Sequence, residues 1–390
     1  MRRNYSYAGR NSLNQSGLAM LCLLIFFTAT GIFLSLFFYQ DLKNALRKFK
    51  EFQKPLTPVL IRPEISVPKL ETITNDSDPS EKEAEKIFIA YDLGDDKLAS
   101  RLITDFLANY SSNPLQNRVR IIGANLMYKR GDSAGALAYI KKVLSENELE
   151  NKDFTDAVLL LGSIAREQKQ YDSFIQSYLE QAYFRASEPS KSMLAFYLGY
   201  IMIHNKDFKN AASYFNNVIG ENGVLGRADL YAAQEMRPET INTFANFLDL
   251  YPASQNFSYV KEAFIRESKL QASSLAARGY LDSAVNFYQN IAARFPGTQD
   301  ADFARLQIAD IYIQKKDLKK AVTILEQILD NDDKFYDPDA LFRLGKIHFE
   351  QDNPERALNS FRTLTEQFPS SPMVHQAQEW QKLILESFAN

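Results

Sequence analysis

Cysteine, histidine and tryptophan are scarce in this sequence. Its 390 residues include one cysteine, three histidines and one tryptophan. Because Cys22 stands alone inside an apolar run, the chain cannot form an internal disulfide or a zinc site built from thiolates. His204, His348 and His375 lie far apart and lack the spacing of metal ligands. The sequence therefore predicts no metal site.

Motifs for catalysis and phosphate binding are missing as well. The sequence contains no GxSxG, GxGxxG, GxxxxGK[ST] or HExxH. The acid-rich stretch DNDDKFYD lacks the glycine and the downstream glutamate of a calcium loop. We therefore expect no catalytic residue, no cofactor and no enzymatic activity.

A basic excess is also lacking, since the formal net charge is −3. This balance gives no overall field that would attract nucleic acid. Residues 1–80 differ from the rest, because they carry 10 basic and 6 acidic side chains against 35 and 42 in residues 81–390. The basic part adjoins an apolar run, as anionic lipid headgroups favour.

That apolar run begins at Gly17, ends at Tyr39 and contains 23 residues without a charge. About 20 apolar residues suffice to cross a ~30 Å hydrocarbon layer as a helix. The run is longer than the ~7–15 apolar residues of a cleaved signal peptide, and no small-x-small cleavage site follows it. We expect a tail at 1–16 and one transmembrane helix at 17–39.

The orientation of this helix is less clear from charge. Three arginines and no acid precede it, whereas five basic residues and two acids follow within residues 40–54. A short tail with three arginines crosses a membrane poorly, while a long C-terminal domain can cross largely regardless of its charge. We expect a cytoplasmic N-terminus with the remainder outside the cytoplasm, and the opposite orientation stays open.

Two segments connect the apolar run to the rest of the chain. Residues 40–54 have a basic amphipathic pattern, typical of a stalk helix, a stripe in the headgroup region or a self-association seam. Residues 55–80 contain five prolines and read as an extended linker. At ~3.1 Å per residue it could reach on the order of 80 Å. Part of it also alternates like a strand that could pair with a partner.

From residue 81 a helical pattern recurs about every 34–38 residues. The last unit shows it best, with Gly345 in a first helix, Ala357 and Phe361 in a second, and Pro369 after it. Small residues allow the two helices of a hairpin to cross closely, and Phe361 fills the space between hairpins. Pro369 ends the second helix because it has no backbone N–H.

This unit resembles the tetratricopeptide repeat. The same positions recur upstream, as in Ala309 with Ala321 and in Gly199 with Ala211. The resemblance implies an all-α solenoid of about 7–8 repeats over residues 81–371, preceded by the transmembrane helix. We interpret residues 372–390, which contain Trp380, as a helix that caps the array.

One stretch departs from the repeat. Ala211 and Ala284 are 73 residues apart, which corresponds to two units of uneven length. Glycines precede residue 228, and Arg237-Pro238 interrupts the pattern. We expect a shortened or distorted repeat at 220–250 with a kink in the superhelix; a hinge, a docking site and a silent irregularity all remain open.

Residues 250–385 contain phrases such as YPASQNFSYVKEA and FPGTQDADFARLQIA. They resemble repeats of bacterial outer-membrane assembly lipoproteins and of the Tol-associated coordinator protein. This resemblance implies a bacterial periplasmic setting without indicating a particular partner.

In tetratricopeptide repeats the first helices line a concave groove that holds extended or helical peptides. Transferring the groove positions to this sequence gives ten candidate partner-binding residues: Met193, Phe196, Tyr200, Ile203, Leu306, Asp310, Ile313, Phe342, Lys346 and Phe349. Several are large and apolar where a solvated face would be polar. Burial against the tail helix or adjacent turns is the alternative. Asn125 and Lys129 match the family's carboxylate clamp only in part, so an acidic C-terminal tail is not the predicted ligand.

These features predict a non-enzymatic, membrane-anchored scaffold that binds proteins. The expected setting is a bacterial cell-envelope complex, with the chain crossing the inner membrane once and its repeats in the periplasm. Candidate complexes are flagellar-motor periplasmic structures, outer-membrane biogenesis and cell-wall synthesis. The alternative is an adaptor that faces the cytoplasm and recruits soluble proteins. Homo-oligomerisation also remains open.

Overall fold

The computed structural model describes Ile65, residues 78–111 and residues 113–389. These residues form seventeen α-helices and no strand, so the all-α prediction is confirmed for this part of the chain. The helices are α1 Pro79–Asp92, α2 Asp96–Asn109, α3 Gln116–Lys129, α4 Ser133–Glu146, α5 Asn151–Gln168, α6 Ser173–Arg185, α7 Ser190–His204, α8 Phe208–Asn216, α9 Glu221–Ala233, α10 Arg237–Leu250, α11 Phe257–Ala277, α12 Leu281–Arg294, α13 Gln299–Gln314, α14 Leu318–Leu329, α15 Asp337–Glu350, α16 Pro354–Gln367 and α17 Val374–Ala389.

The first sixteen helices pair into eight hairpins, in which an odd-numbered first helix precedes an even-numbered second helix. Each hairpin turns through one residue with a positive φ: Gly94, Gly131, Lys169, Lys206, Glu235, Gly279, Lys316 and Asp352. This left-handed residue ends the first helix and reverses the chain direction. In six hairpins an Asp or Asn side chain then caps the second helix.

Small residues stand where the helices cross, as the sequence predicts. A Cβ added to Gly199 would lie 2.5 Å from the Phe215 ring, and one added to Gly345 would lie 2.6 Å from Phe361. Both aromatic rings are fully buried. The glycines therefore let α7 and α15 approach the second helices of their own hairpins.

Hydrogen bonds between neighbouring hairpins repeat with the period of the sequence. Asn125 bonds Tyr91 across 34 residues, Tyr128 bonds Ser163 across 35, and Ser133 bonds Glu167 across 34. Each hairpin is thus joined to the next in register, as in a solenoid whose units contact only their neighbours.

The irregular stretch consists of one short and one long interval. The turn residues Lys206 and Glu235 are 29 positions apart, and Glu235 and Gly279 are 44 apart, against 36 to 38 elsewhere. The second helix α8 has only 9 residues, whereas the first helix α11 has 21. The missing residues therefore come from α8 and the following turn, and the extra ones lengthen the N-terminal part of α11.

Two prolines behave differently from expectation. Pro79, assigned to the linker, lies in the first turn of α1, and Pro238 lies in the first turn of α10 instead of interrupting the pattern. A proline is tolerated in the first turn because the backbone N–H groups there have no partner within the helix.

Buried apolar side chains form four clusters along the described chain. Successive clusters meet on the first helices α9, α13 and α15. Ile65, from the predicted linker, is 4% exposed and belongs to the first cluster, so the linker touches the repeats at this residue. At the other end, Trp380 of α17 stacks on Phe361 with ring centroids 5.9 Å apart.

The predicted transmembrane helix at 17–39 and the amphipathic segment at 40–54 lie outside the described residues. Among the helices that are described, none is both long and apolar enough to cross a membrane.

Candidate partner-binding face

Successive first helices contact one another through side chains near their middles. Asn125, Ser163, Tyr200, Asp229 and Asp310 each directly follow a buried glycine or alanine of their own first helix. We call the surface that carries these five residues the first-helix face. Two of its links are uncharged, namely Asn125 to the Tyr91 hydroxyl at 2.5 Å and Ser163 to the Tyr128 hydroxyl at 3.3 Å.

Of the four candidate residues on α7, three are half-buried and one is buried. Met193, Tyr200 and Ile203 are half-buried and pack on the first core cluster while keeping some contact with solvent. Phe196 is only 3% exposed, and its ring meets Phe215 with centroids 6.4 Å apart. Phe196 therefore belongs to the core, with no more than its edge available to a partner.

The candidates on α13 divide in the same way. Leu306 is 3% exposed and lies in the third core cluster, whereas Ile313 is half-buried at its border. Asp310 accepts two hydrogen bonds from Arg343 of the next first helix, at 2.7 and 2.9 Å. This bidentate pair joins α13 to α15 and neutralises the Asp310 carboxylate.

On α15 the tail helix covers part of the predicted surface. Phe349 packs edge-on against Trp380 at 5.3 Å, and Phe342 packs against Phe361 at 5.7 Å. Both phenylalanines stay half-buried, and Lys346 is exposed between them. The expected alternative of burial against the tail helix therefore applies in part to Phe349.

The face also contains a charged network that the sequence did not predict. Arg166 of α5 donates a hydrogen bond to the Tyr200 hydroxyl at 3.1 Å, and this hydroxyl donates to Asp229 of α9 at 2.5 Å. Arg166 also lies over the Tyr200 ring, 4.4 Å from its centroid. The Tyr200 hydroxyl thus links three consecutive hairpins by hydrogen bonds.

Burial sets the electrostatics of this network. It raises the pKa of Tyr200 well above the ordinary value, and Asp229 raises it further. Burial also raises the pKa of the Asp229 carboxyl, despite the opposing effects of the Tyr200 hydrogen bond and the Arg166 charge. Burial alone would lower the pKa of Arg166, but Tyr200 and Asp229 raise it overall. Arg166 is therefore well accommodated as a cation, whereas Asp229 is poorly accommodated as an anion.

Other acidic side chains of the first helices form direct ion pairs with basic side chains. Arg118 of α3 lies 3.2 Å from Asp153 and 2.7 Å from Asp156 of α5. Among the described residues neither Arg166 nor Asp229 forms such an ion pair. One sequence signal could have indicated Asp229, since it follows Ala228 as Tyr200 follows Gly199.

The three histidines lie in different parts of the structure. His204 packs against Tyr171 with ring centroids 5.2 Å apart, burial lowers the pKa of His348, and His375 is exposed on α17. Within the described ranges, no three His, Cys, Asp or Glu side chains lie together as a metal site would require.

Comparisons with known proteins agree with the repeat pattern. One family model, a tetratricopeptide repeat-like domain, matches residues 251–371, and a second, a tetratricopeptide repeat, matches residues 123–190. Neither describes an enzyme. No curated protein matches the sequence.

Solved tetratricopeptide-repeat structures are similar only at low identity. A protein from Parabacteroides merdae is 15% identical, with 78% of this chain and 98% of that chain covered and a TM-score of 0.38. The C-terminal part of a protein from Cytophaga hutchinsonii is 12% identical, with 75% and 98% covered and a TM-score of 0.39. Residues 123–190 and 251–371 match the family models themselves, so the chain contains tetratricopeptide repeats in these two stretches.

Proposed function

We propose that this protein is a non-enzymatic scaffold that binds protein partners on its first-helix face and is tethered to a membrane by residues 17–39. The observation that supports partner binding is the half-exposed state of large apolar residues on that face, including Met193, Ile203 and Ile313. Apolar side chains left partly accessible in an otherwise packed array favour an interface. The family supports it too, since tetratricopeptide repeats generally bind proteins.

The tether rests on the sequence. Residues 17–39 are uncharged and long enough to cross a bilayer, and basic residues flank them on both sides. Within the predicted linker, Ile65 is buried against the repeats. Self-association through residues 40–54 stays a prediction.

The proposed setting is the bacterial inner membrane, with the repeats in the periplasm as part of a cell-envelope complex. The arginine-rich tail and the resemblance of residues 250–385 to periplasmic repeat proteins support it. A C-terminal fusion to alkaline phosphatase tests the topology, because this enzyme is active only outside the cytoplasm. Fluorescence of a C-terminal green fluorescent protein fusion, without phosphatase activity, would instead favour the cytoplasm-facing adaptor.

Partner binding is tested by charge substitution on the first-helix face. In full-length protein recovered from cells after crosslinking, Ile203→Asp and Ile313→Asp should reduce the amount of co-purified partner at least about tenfold, because a buried unpaired charge is unfavourable. Ser213→Asp and Thr323→Asp are matched controls on the exposed sides of the second helices of the same hairpins. Equal losses in all four variants, or in none, would contradict the proposed binding face.

A further inference from the structure

We propose that Asp229 and the aromatic residues near it form a subsite on the first-helix face that takes a lysine or arginine side chain of a bound protein. This inference rests on the proposed function and adds the chemistry of the partner. The subsite lies where Arg166 of α5, Tyr200 of α7 and Asp229 of α9 are joined by hydrogen bonds.

The geometry separates two opposite charges. The Tyr200 hydroxyl accepts from Arg166 at 3.1 Å and donates to Asp229 at 2.5 Å, so the phenol stands between the guanidinium and the carboxylate. An arginine that met Asp229 directly would neutralise it, as Arg343 neutralises Asp310 with bonds of 2.7 and 2.9 Å. Asp229 receives only the phenol hydrogen bond within the described part of the chain. Its carboxylate therefore retains capacity for a cation from outside.

The charges of Arg166 and Asp229 are stabilised to different extents. Arg166 lies over the rings of Phe196 and Tyr200, at 4.8 and 4.4 Å from their centroids, which stabilises its charge in place. Burial raises the pKa of Asp229 even though Tyr200, Arg166 and the exposed Lys169 oppose the shift. The negative charge of Asp229 is thus incompletely balanced by positive charge, whereas the positive charge of Arg166 is already stabilised. A cation brought by a partner would correct that deficit.

The surroundings suit an organic cation. Burial raises the pKa of Tyr171 to about 12 and also raises the pKa of Tyr259, and the Asp229 charge adds to both shifts, so both phenols stay neutral. Tyrosine rings attract lysine and arginine side chains and also cover their methylene groups. Tyr259 is carried by the N-terminal turns of α11, the 21-residue helix of the long repeat. Asp229 itself lies in α9, so the irregular stretch at 220–250 contributes to this subsite.

The test uses the purified full-length chain and a displayed library of random 12-residue peptides. Peptides selected by the wild-type protein should be enriched in lysine or arginine. In the strongest binder, replacing the critical basic residue with norleucine should weaken binding at least about tenfold, as expected for a charge-assisted contact. The same replacement should change binding less than about twofold when the protein carries Asp229→Asn. Asp105→Asn, an exposed acid on α2, is the charge-matched control and should behave like the wild type.

The proposal is overturned if the selected peptides show no basic enrichment. It is equally overturned if norleucine costs the same affinity in Asp229→Asn as in the wild type, because the basic residue then contacts another site. Binding of non-basic peptides that Ile203→Asp abolishes would refute the subsite and leave the proposed function intact. If no peptide is selected and the co-purification test also fails, the proposed function fails with it.

Discussion

The charge of Asp229 is proposed to bind a partner's cation, yet the same charge lowers the stability of the folded protein. Burial raises the pKa of Asp229, so the charged form destabilises the folded state at neutral pH, and this penalty declines as the pH falls through the folded-state pKa towards 3.8. We expect Asp229→Asn to melt at a higher temperature than the wild type at pH 7. The difference should shrink as the pH is lowered to 4.5, as thermal unfolding followed by circular dichroism would show.

Asp249 serves as a control, because its pKa is shifted in the opposite direction to that of Asp229. Its carboxylate accepts hydrogen bonds from Arg294 at 2.5 and 3.0 Å, which lower its pKa. Its charge therefore stabilises the fold above the unfolded-state value of 3.8 and this contribution is lost at lower pH. Asp249→Asn should melt slightly below the wild type at pH 7, by a small amount because the pair is largely exposed. A lower melting temperature for both variants would contradict the electrostatics described for Asp229.

Helical glycines give a second comparison at this scale. A Cβ at Gly199 would lie 2.5 Å from the buried ring of Phe215, whereas one at Gly123 would be 3.6 Å from its nearest neighbour, Ile103. We expect Gly199→Ala to lower the free energy of unfolding by about 1–3 kcal/mol through overpacking. Gly123→Ala should raise it by up to ~1 kcal/mol, since alanine favours helix. Chemical denaturation measures both; similar changes in the two variants would mean that Gly199 is not a crossing point.

Part of the candidate site could be predicted residue by residue. The repeat spacing placed Met193, Tyr200 and Ile203 on the first-helix face because a helix of known phase fixes which side a residue occupies. It could not show how deeply a side chain sits, and so Phe196 was included although it is almost fully buried. The link between Arg166 and Asp229 depends on how three hairpins stack, which no local pattern encodes.

Among the elements, the second helices α10 and α12 lack the cap that the others have. Asp207 accepts a hydrogen bond at the start of α8, but Met236 and Tyr280 occupy the equivalent positions in the next two hairpins and provide none. The backbone is the same, with φ −88° and ψ 71° at Asp207 and φ −83° and ψ 70° at Met236. The missing caps directly follow the two turn residues that end the uneven intervals, Glu235 and Gly279.

This comparison gives a prediction for α10. Met236→Asp should raise the free energy of unfolding by about 1 kcal/mol, because aspartate can accept from an unpaired N–H in the first turn. Asp207→Ala should lower it by a similar amount for the same reason. Denaturant titration of both variants checks the pair. If Met236→Asp destabilised the protein, the side chain of Met236 would have a packing role that outweighs the cap.

Helix positions were the most predictable feature at the element scale. Helix–turn–helix units follow from the spacing of small and large apolar residues, and that pattern extends over most of the described chain. Boundaries were less predictable, as Pro79 and Pro238 show, because proline is compatible with the first turn of a helix and also with a linker. The spacing of 73 residues indicated irregularity but could not assign 29 to one repeat and 44 to the next.

For the whole array, stability should be local because each hairpin contacts mainly its neighbours. Phe361 lies in the fourth core cluster, with Trp380 stacked on it. We expect Phe361→Ala, a loss of about 3–5 kcal/mol in a packed core, to reduce hydrogen-exchange protection in α15, α16 and α17. Protection in α3 to α6 should be unchanged. Phe106→Ala, in the first cluster, should produce the converse pattern.

A uniform loss of protection across both ends in either variant would mean that the array unfolds as one cooperative unit. It would also mean that α9, on which the first and second clusters meet, does not divide the array into separately stable parts. The sequence predicted the array but not these clusters, since they depend on which side chains each first helix shares with its two neighbours.

Position-resolved crosslinking shows whether partners bind the first-helix face. A photoreactive residue is placed singly at Ile203, Ile313, Ser213 or Thr323 of the full-length chain in living cells. We expect Ile203 and Ile313 on the first helices to capture the same partner, and Ser213 and Thr323 on the second helices not to capture it. Capture of that partner mainly from the second helices would contradict this expectation.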